Sequence, residues 1–229
     1  MTKKSIYFSI DTINRSNCEY LVKTYEQGKS IGIGAYGNVY EVCRDKKCNY
    51  VLKVVKYKKE RYENSGKIEE LSEKSIKNAW KKEILVQLKL NNCQQKIGIK
   101  FSPIIHDAWH CKEVNETTFF IIMEKYDGNL SDFISQYKSI KEKEISKIAI
   151  DQALQKLYIC LKFIHDRCDI CLNDIKLDNI LFKRIKEYQY EFIFTDFGKS
   201  SYKTTLDCKK KDLERFDRNI KLFESNFKE

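Results

Sequence analysis

Proline is almost missing. One proline and eight glycines in 229 residues leave no composition for a Pro-rich or Gly-rich linker or a low-complexity arm. No apolar run approaches the roughly 20 residues that a membrane-spanning helix needs. No charged-then-apolar leader opens the chain, so neither a membrane anchor nor a secretory route is expected, and the Asn115-Glu116-Thr117 sequon is expected to go unused. Nine cysteines, an odd count without a leader, predict reduced thiols in an intracellular setting, cytosol or nucleus. Histidine is scarce, at three. His106 and His110 can share a strand face, but no third or fourth ligand stands at a usable spacing, so zinc is not expected.

What is present is charge. Forty-three Lys+Arg against 33 Asp+Glu give +10, which favours acidic partners: nucleotide phosphate, an acidic protein or nucleic acid. The charges are interleaved, as in the charged stretch 56–77, and form no basic stripe. They read as a solvated surface and not a nucleic-acid face. With 42% hydrophobic residues the chain can bury a core, and its length suits one domain of two small lobes.

The chemistry is concentrated in residues 170–182, ICLNDIKLDNILF, answered downstream by Thr195-Asp196-Phe197-Gly198. Asp174, Asn179 and Asp196 are hard oxygen donors of the kind Mg²⁺ takes, with one carboxylate left to orient a hydroxyl. Far upstream, Gly32, Gly34 and Gly37 make G-x-G-x-x-G. A dinucleotide loop would need a helix next, and Val39-Tyr40-Glu41-Val42 is a strand signal instead. A Walker A loop ending in Gly28-Lys29-Ser30 would need glycine where Lys23 stands. A glycine-tipped hairpin remains. The next strand, Tyr50-Val51-Leu52-Lys53-Val54-Val55, is apolar around one lysine, and burying Lys53 without an anionic partner would be expensive.

Asp174-Ile175-Lys176-Leu177-Asp178-Asn179 and Asp196-Phe197-Gly198 resemble the catalytic loop and Asp-Phe-Gly segment of eukaryotic-type protein kinases, and Lys176, two after the aspartate, resembles those acting on serine and threonine. The resemblance implies an α+β, two-lobe kinase-like fold over residues 1–229. Residues 20–125 would form a five-stranded antiparallel sheet with helix C, and 126–229 a reduced helical lobe. It implies ATP and Mg²⁺, with Asn179 and Asp196 as metal ligands, Asp174 orienting the acceptor, Lys176 stabilising the transferring group and Lys53 on the phosphates. Ile31, Gly32, Gly34, Gly37, Val39, Val51, Met123, Glu124, Tyr126 and Leu181 would line the nucleotide, with the backbone at Glu124 and Tyr126 holding adenine. Glu83 is the candidate partner of Lys53, with Glu69, Glu70 and Glu73 as rivals.

Helical spacing places Ala79, Trp80, Ile84, Leu85 and Leu88 on one helix. A helix starting near Leu130 has Ser131 as its cap. A long helix over 143–165 has Ile148, Leu154, Leu157, Tyr158, Leu161 and Ile164 in period, and a closing helix over 209–227 has Leu213, Phe216, Ile220 and Phe223 on one face. Residues 104–110 and 118–123 read as two further strands. Cys168-x-x-Cys171 reads as packing, not redox or zinc chemistry.

Two departures stand out. Leu172 and Asn173 occupy the usual His-Arg positions, which implies a loop that orders without phosphorylation. Only 31 residues follow Gly198, with no Ala-Pro-Glu segment, a short plan similar to kinases of large DNA viruses and to the small kinase of the KEOPS complex. In that tail Asp212 is expected to support the catalytic-loop backbone, and Lys199, Ser200, Ser201, Tyr202 and Thr204 to meet substrate or accept autophosphorylation. A protein substrate is implied, with a partner protein that completes the short lobe as an alternative. The rival functions are a nucleotide-loaded scaffold or ATPase subunit and a small-molecule kinase.

Overall fold

A computed structural model describes residues 16–19, 21, 24–34, 37–58, 73–114, 116–137 and 143–226. The expectations for Glu69, Glu70, Asn115 and most of the charged stretch 56–77 fall outside them. The chain forms two compact units, Met1–Ile84 with Ile104–Lys125, and Leu85–Pro103 with Tyr126–Glu229.

The first unit is a five-stranded antiparallel sheet: β1 (Glu26–Gly34), β2 (Gly37–Arg44), β3 (Lys47–Lys58), β4 (Ile105–Lys112) and β5 (Glu116–Glu124), in the order β1-β2-β3-β5-β4. Asp45 and Lys46, both at positive φ, close the β2–β3 hairpin, as the twist of a two-residue turn demands. Gly37 has a stricter requirement. It sits at φ +144°, and a Cβ there would lie 2.0 Å from the Val54 carbonyl oxygen, so only glycine fits where β2 meets β3.

Register decides what each face carries. Lys53 lies opposite Val39 on β2 and Ile121 on β5, and Val51 lies opposite Glu41 and Met123. Because side chains alternate along a strand, Val39, Val51, Lys53, Ile121 and Met123 share one face. The other face holds the apolar cluster of Val42, Leu52, Val54, Trp109 and Ile122 with Tyr25. A bulge between Ile105 and Asp107 separates the two strand histidines. His106 meets Tyr50, at 4.9 Å between rings, and His110 meets Trp80 and Phe119, so the shared histidine face is not formed.

Helix α1 (Glu73–Ile97) runs through both units. Trp80 packs at a tilt against Phe119 in the first, at 5.1 Å between rings. In the second, Gln87, Asn91 and Gln94 hold the loop around the single proline: Gln87 Nε2 and Asn91 Nδ2 donate to the Pro103 carbonyl, and Gln94 Oε1 accepts the N–H groups of Phe101 and Ser102. Leu85, expected on the packing stripe, is 39% exposed.

The second unit continues with β6 (Gly128–Asn129), α2 (Leu130–Tyr137), α3 (Lys143–Arg167), β7 (Ile170–Cys171), a 3₁₀ turn (Leu177–Asn179), β8 (Ile180–Lys186), β9 (Gln189–Phe194), β10 (Ser201–Tyr202) and α4 (Leu206–Ser225). Asn129, not Ser131, caps α2. Asn129 Oδ1 accepts the Asp132 N–H and Asp132 Oδ2 accepts the Asn129 N–H, a reciprocal box that leaves Ser131 to donate to Asp178. Along α3 the buried stripe is Ile150, Ala153, Leu154, Leu157, Leu161 and Ile164, while Ile148 is exposed. The core is aromatic. Phe133 meets the rings of Tyr137, Phe182, Tyr190, Phe192 and Phe223.

The thiols are not reduced. Cys18–Cys111, Cys43–Cys48, Cys93–Cys168 and Cys171–Cys208 are bonded, and only Cys160 is free. An odd count requires one unpaired cysteine and says nothing about the other eight, so the inference from thiol count to a reducing compartment lapses. Cys168 and Cys171 each bond to a distant cysteine, which corrects their reading as mere packing. Burial pushes the Cys160 thiol up to about 11. Among the described residues, no helix is long and apolar enough to cross a membrane.

Two outcomes follow. Protein purified without reductant takes up no iodoacetamide while folded and one equivalent after denaturation, by intact mass; nine equivalents would refute the pairing. Phe133→Ala, opening a cavity among five rings, lowers unfolding free energy by about 3–5 kcal/mol in a denaturant titration, and a loss under 1 kcal/mol would contradict this packing.

Candidate active site

The loop 172–179 has little regular structure, so its backbone polar groups need partners from elsewhere. Three come from one face of α4. Asp212 takes the Leu172 N–H on Oδ2 at 2.7 Å and the Asn173 N–H on Oδ1 at 2.8 Å. Arg215 Nη1 donates to the Asn173 carbonyl at 2.6 Å, and Asn219 Nδ2 donates to the Ile175 carbonyl at 3.1 Å. The spacing i, i+3, i+7 is one helical stripe. Asp212 is fully buried, and an ionised carboxylate only accepts, so His165 donates Nε2–H to its Oδ2 at 3.0 Å. Cys171 Sγ also lies within 4.8 Å of these two. Its sulfur is bonded to Cys208 and the carboxylate is occupied by N–H groups, so the trio is an anchor and not a metal centre.

Asn173 stands at φ +63°, a region that asparagine tolerates better than most residues. Its amide Nδ2 donates to the Lys199 carbonyl at 3.2 Å and to Ser201 Oγ at 2.9 Å. It therefore ties the loop to the segment after Asp196-Phe197-Gly198. The same two stretches pair as strands, Ser201 with Cys171 and Tyr202 with Ile170. Further along, Thr204 donates its N–H and hydroxyl to Asp169, which holds that carboxyl below its usual range. A lowered carboxyl contributes stability above its unfolded pKa and loses it as pH falls through the folded value, so this tie weakens in acid.

Inside this frame, Asn179 Nδ2 donates to the Asp174 carbonyl at 2.9 Å and to Asp174 Oδ2 at 3.2 Å. An amide so engaged turns its oxygen the other way. The Asn179 carbonyl accepts the Thr195 N–H at 2.9 Å, bringing the residue before Asp196 against it. Asp196 is held at φ +58°, an uncommon conformation for a non-glycine residue, and Phe197 beside it is buried. Lys199 Nζ lies 3.1 Å from Asp174 Oδ1. Lys176 is exposed and Leu181 half-buried on β8.

In the first unit, Lys53 Nζ donates to Glu83 Oε1 at 2.6 Å, and both side chains are nearly buried. Glu83 is thus a partner of Lys53, as expected. Gly34 pairs with Gly37 and Gly32 with Val39 in the β1–β2 hairpin, and Ile31 there is exposed. The Glu124 N–H donates to the Ile104 carbonyl at 3.0 Å. The Lys125 ammonium pairs with Glu41 and holds that carboxyl below its usual range. Tyr126 is buried, with its hydroxyl on Glu191 at 3.0 Å.

Sequence reasoning identified Asp212 but missed Arg215, Asn219 and His165. The spacing of Asp212, Arg215 and Asn219 was the available signal. Lys199 was legible only as one member of the polar segment after Gly198, without its place beside Asp174, and nothing in the sequence pointed to the Cys171–Cys208 bond.

A family model described as a protein kinase domain matches residues 25–212. Among curated proteins, "Probable serine/threonine-protein kinase kinY" of Dictyostelium discoideum is 30% identical over 162 residues, 70% of this chain. The chain spans about a quarter of the length of that relative (25%).

Asp212→Ala leaves the buried Leu172 N–H, the half-buried Asn173 N–H and a histidine without their acceptor. The expected loss is about 3–5 kcal/mol of unfolding free energy. Asp212→Asn, which keeps one accepting oxygen, falls between. Variants within 1 kcal/mol of wild type would contradict the anchoring.

Proposed function

The chain belongs to the protein kinase family, and on that premise we propose that it transfers the γ-phosphoryl group of ATP to serine or threonine hydroxyls of protein substrates. The observation that carries this reading is the second-unit arrangement. One carboxylate, Asp174, is held by Asn179 and by a backbone fixed to α4, and the Asn179 backbone carbonyl accepts the N–H of Thr195, the residue before Asp196.

Each part has a task that its geometry supports. The Lys53 ammonium, held by Glu83, meets the α- and β-phosphates, and the glycine hairpin covers them with backbone N–H groups. Val39, Val51 and Met123, on the same sheet face as Lys53, cover the adenine. The Glu124 carbonyl and Tyr126 N–H hold its edge. The Asn179 Oδ1 and Asp196 carboxylate form a hard-oxygen donor set that fits Mg²⁺, which when bound neutralises phosphate charge. Asp174 orients the acceptor hydroxyl and takes its proton as the new O–P bond forms and the bond to ADP breaks. Lys176 stabilises the negative charge on the group in transit. The hydrogen bonds of Asn173 to the Lys199 carbonyl and Ser201 hydroxyl support ordering of this segment without a phosphate.

Incubation with γ-labelled ATP, Mg²⁺ and a mixture of acidic and basic proteins tests the reading. Labelled phosphoserine and phosphothreonine are expected, with rates down by about 10³-fold or more in Asp174→Asn and Asp196→Asn. Transfer unchanged in both variants, or label on tyrosine alone, would overturn it.

A further inference from the structure

The acceptor side of Asp174 carries a feature that phosphoryl transfer does not require. Lys199 places its ammonium 3.1 Å from Asp174 Oδ1, while Oδ2 faces Asn179. The Lys199 side chain stays 55% exposed, so its ammonium can still meet a second anion from solvent. Its backbone is fixed, since its carbonyl accepts from Asn173 and the neighbouring Ser200 hydroxyl donates to the Leu172 carbonyl at 3.2 Å. The position of this charge is therefore set by the same frame that sets Asp174.

The surroundings are basic. From Lys199 to Leu206 the chain reads KSSYKTTL, with no acidic side chain. Lys203 and Lys176 are exposed, and Lys89 Nζ stands 5.1 Å from the half-exposed Tyr202 ring. Three nearby acids already have partners: Asp169 takes Thr204, Asp178 takes Ser131, and Asp207 takes Lys211.

Resting on the kinase reading above, we propose that Lys199 is a specificity-determining residue that selects acceptor hydroxyls flanked by acidic side chains. A hydroxyl delivered to Asp174 Oδ1 arrives beside the Lys199 ammonium. Consecutive residues of an extended peptide lie about 3.3–3.6 Å apart, so a carboxylate one or two residues from the hydroxyl reaches the same ammonium. An acidic flank gives Lys199 a partner as the hydroxyl takes its place on Asp174. An arginine flank meets Lys199, Lys176 and Lys203 with like charge, and such repulsion is as effective in discrimination as the attraction.

The test is steady-state kinetics of the full chain on three peptides that share one central serine, flanked by glutamate, alanine or arginine. The expected kcat/KM favours glutamate over arginine by on the order of tenfold, carried mainly in KM and weakened by salt. Lys199→Glu is expected to reverse the order, and Lys199→Arg to retain it. A wild-type preference for arginine, equal rates on all three peptides, or an order unchanged in Lys199→Glu overturns this inference alone. No Asp174-dependent transfer to any peptide overturns the kinase reading and this inference with it.

Discussion

A fully buried carboxylate on α4 fixes the irregular loop 172–179. Asp212 accepts the Leu172 and Asn173 N–H groups and the His165 ring N–H, with no solvent to compete. An irregular loop cannot satisfy these groups itself, and each would cost about 1–3 kcal/mol if left unmade. Arg215 and Asn219 extend the same helix face to the Asn173 and Ile175 carbonyls. Asp174 is therefore presented by a backbone held on both sides. The Cys171–Cys208 bond joins the strand before the loop to the first turn of that helix, so covalent and polar restraints meet at one junction.

The sheet solves a different problem. Lys53 is nearly buried, and an ammonium out of water requires a carboxylate nearby. Glu83 supplies it at 2.6 Å from α1, a helix whose Trp80 is fixed against Phe119 on the same face as Lys53. Strand alternation then places Val39, Val51 and Met123 beside that lysine and sends Leu52, Val54 and Ile122 to the opposite cluster. One register thus sorts the residues expected to touch nucleotide from those that stabilise the sheet.

Much of this was legible before the coordinates. The glycine hairpin, the Lys53 strand and the two long helices follow from local spacing, and the motif residues carried the family. Residues whose partners are distant in sequence were harder to read. Asn129 caps α2 instead of Ser131 because Asp132 reaches back to it, and both residues are plausible caps on composition alone. Ile148 and Leu85 satisfy a helical period yet face solvent, since period fixes a stripe and not which neighbours cover it. Cysteine pairing was misread, because partners as far apart as Cys18 and Cys111 leave no local signal. Asn173 was read as a lost arginine, whereas its left-handed backbone and bridging amide give the position a task of its own.

Amide hydrogen exchange at Leu172 and Asn173 tests the central constraint most directly. If Asp212 holds these two N–H groups, they exchange only through global unfolding, as slowly as the buried turns of α3 around Leu157 and Leu161. Exchange at the rate of an open surface loop, with α3 still protected, would contradict the account.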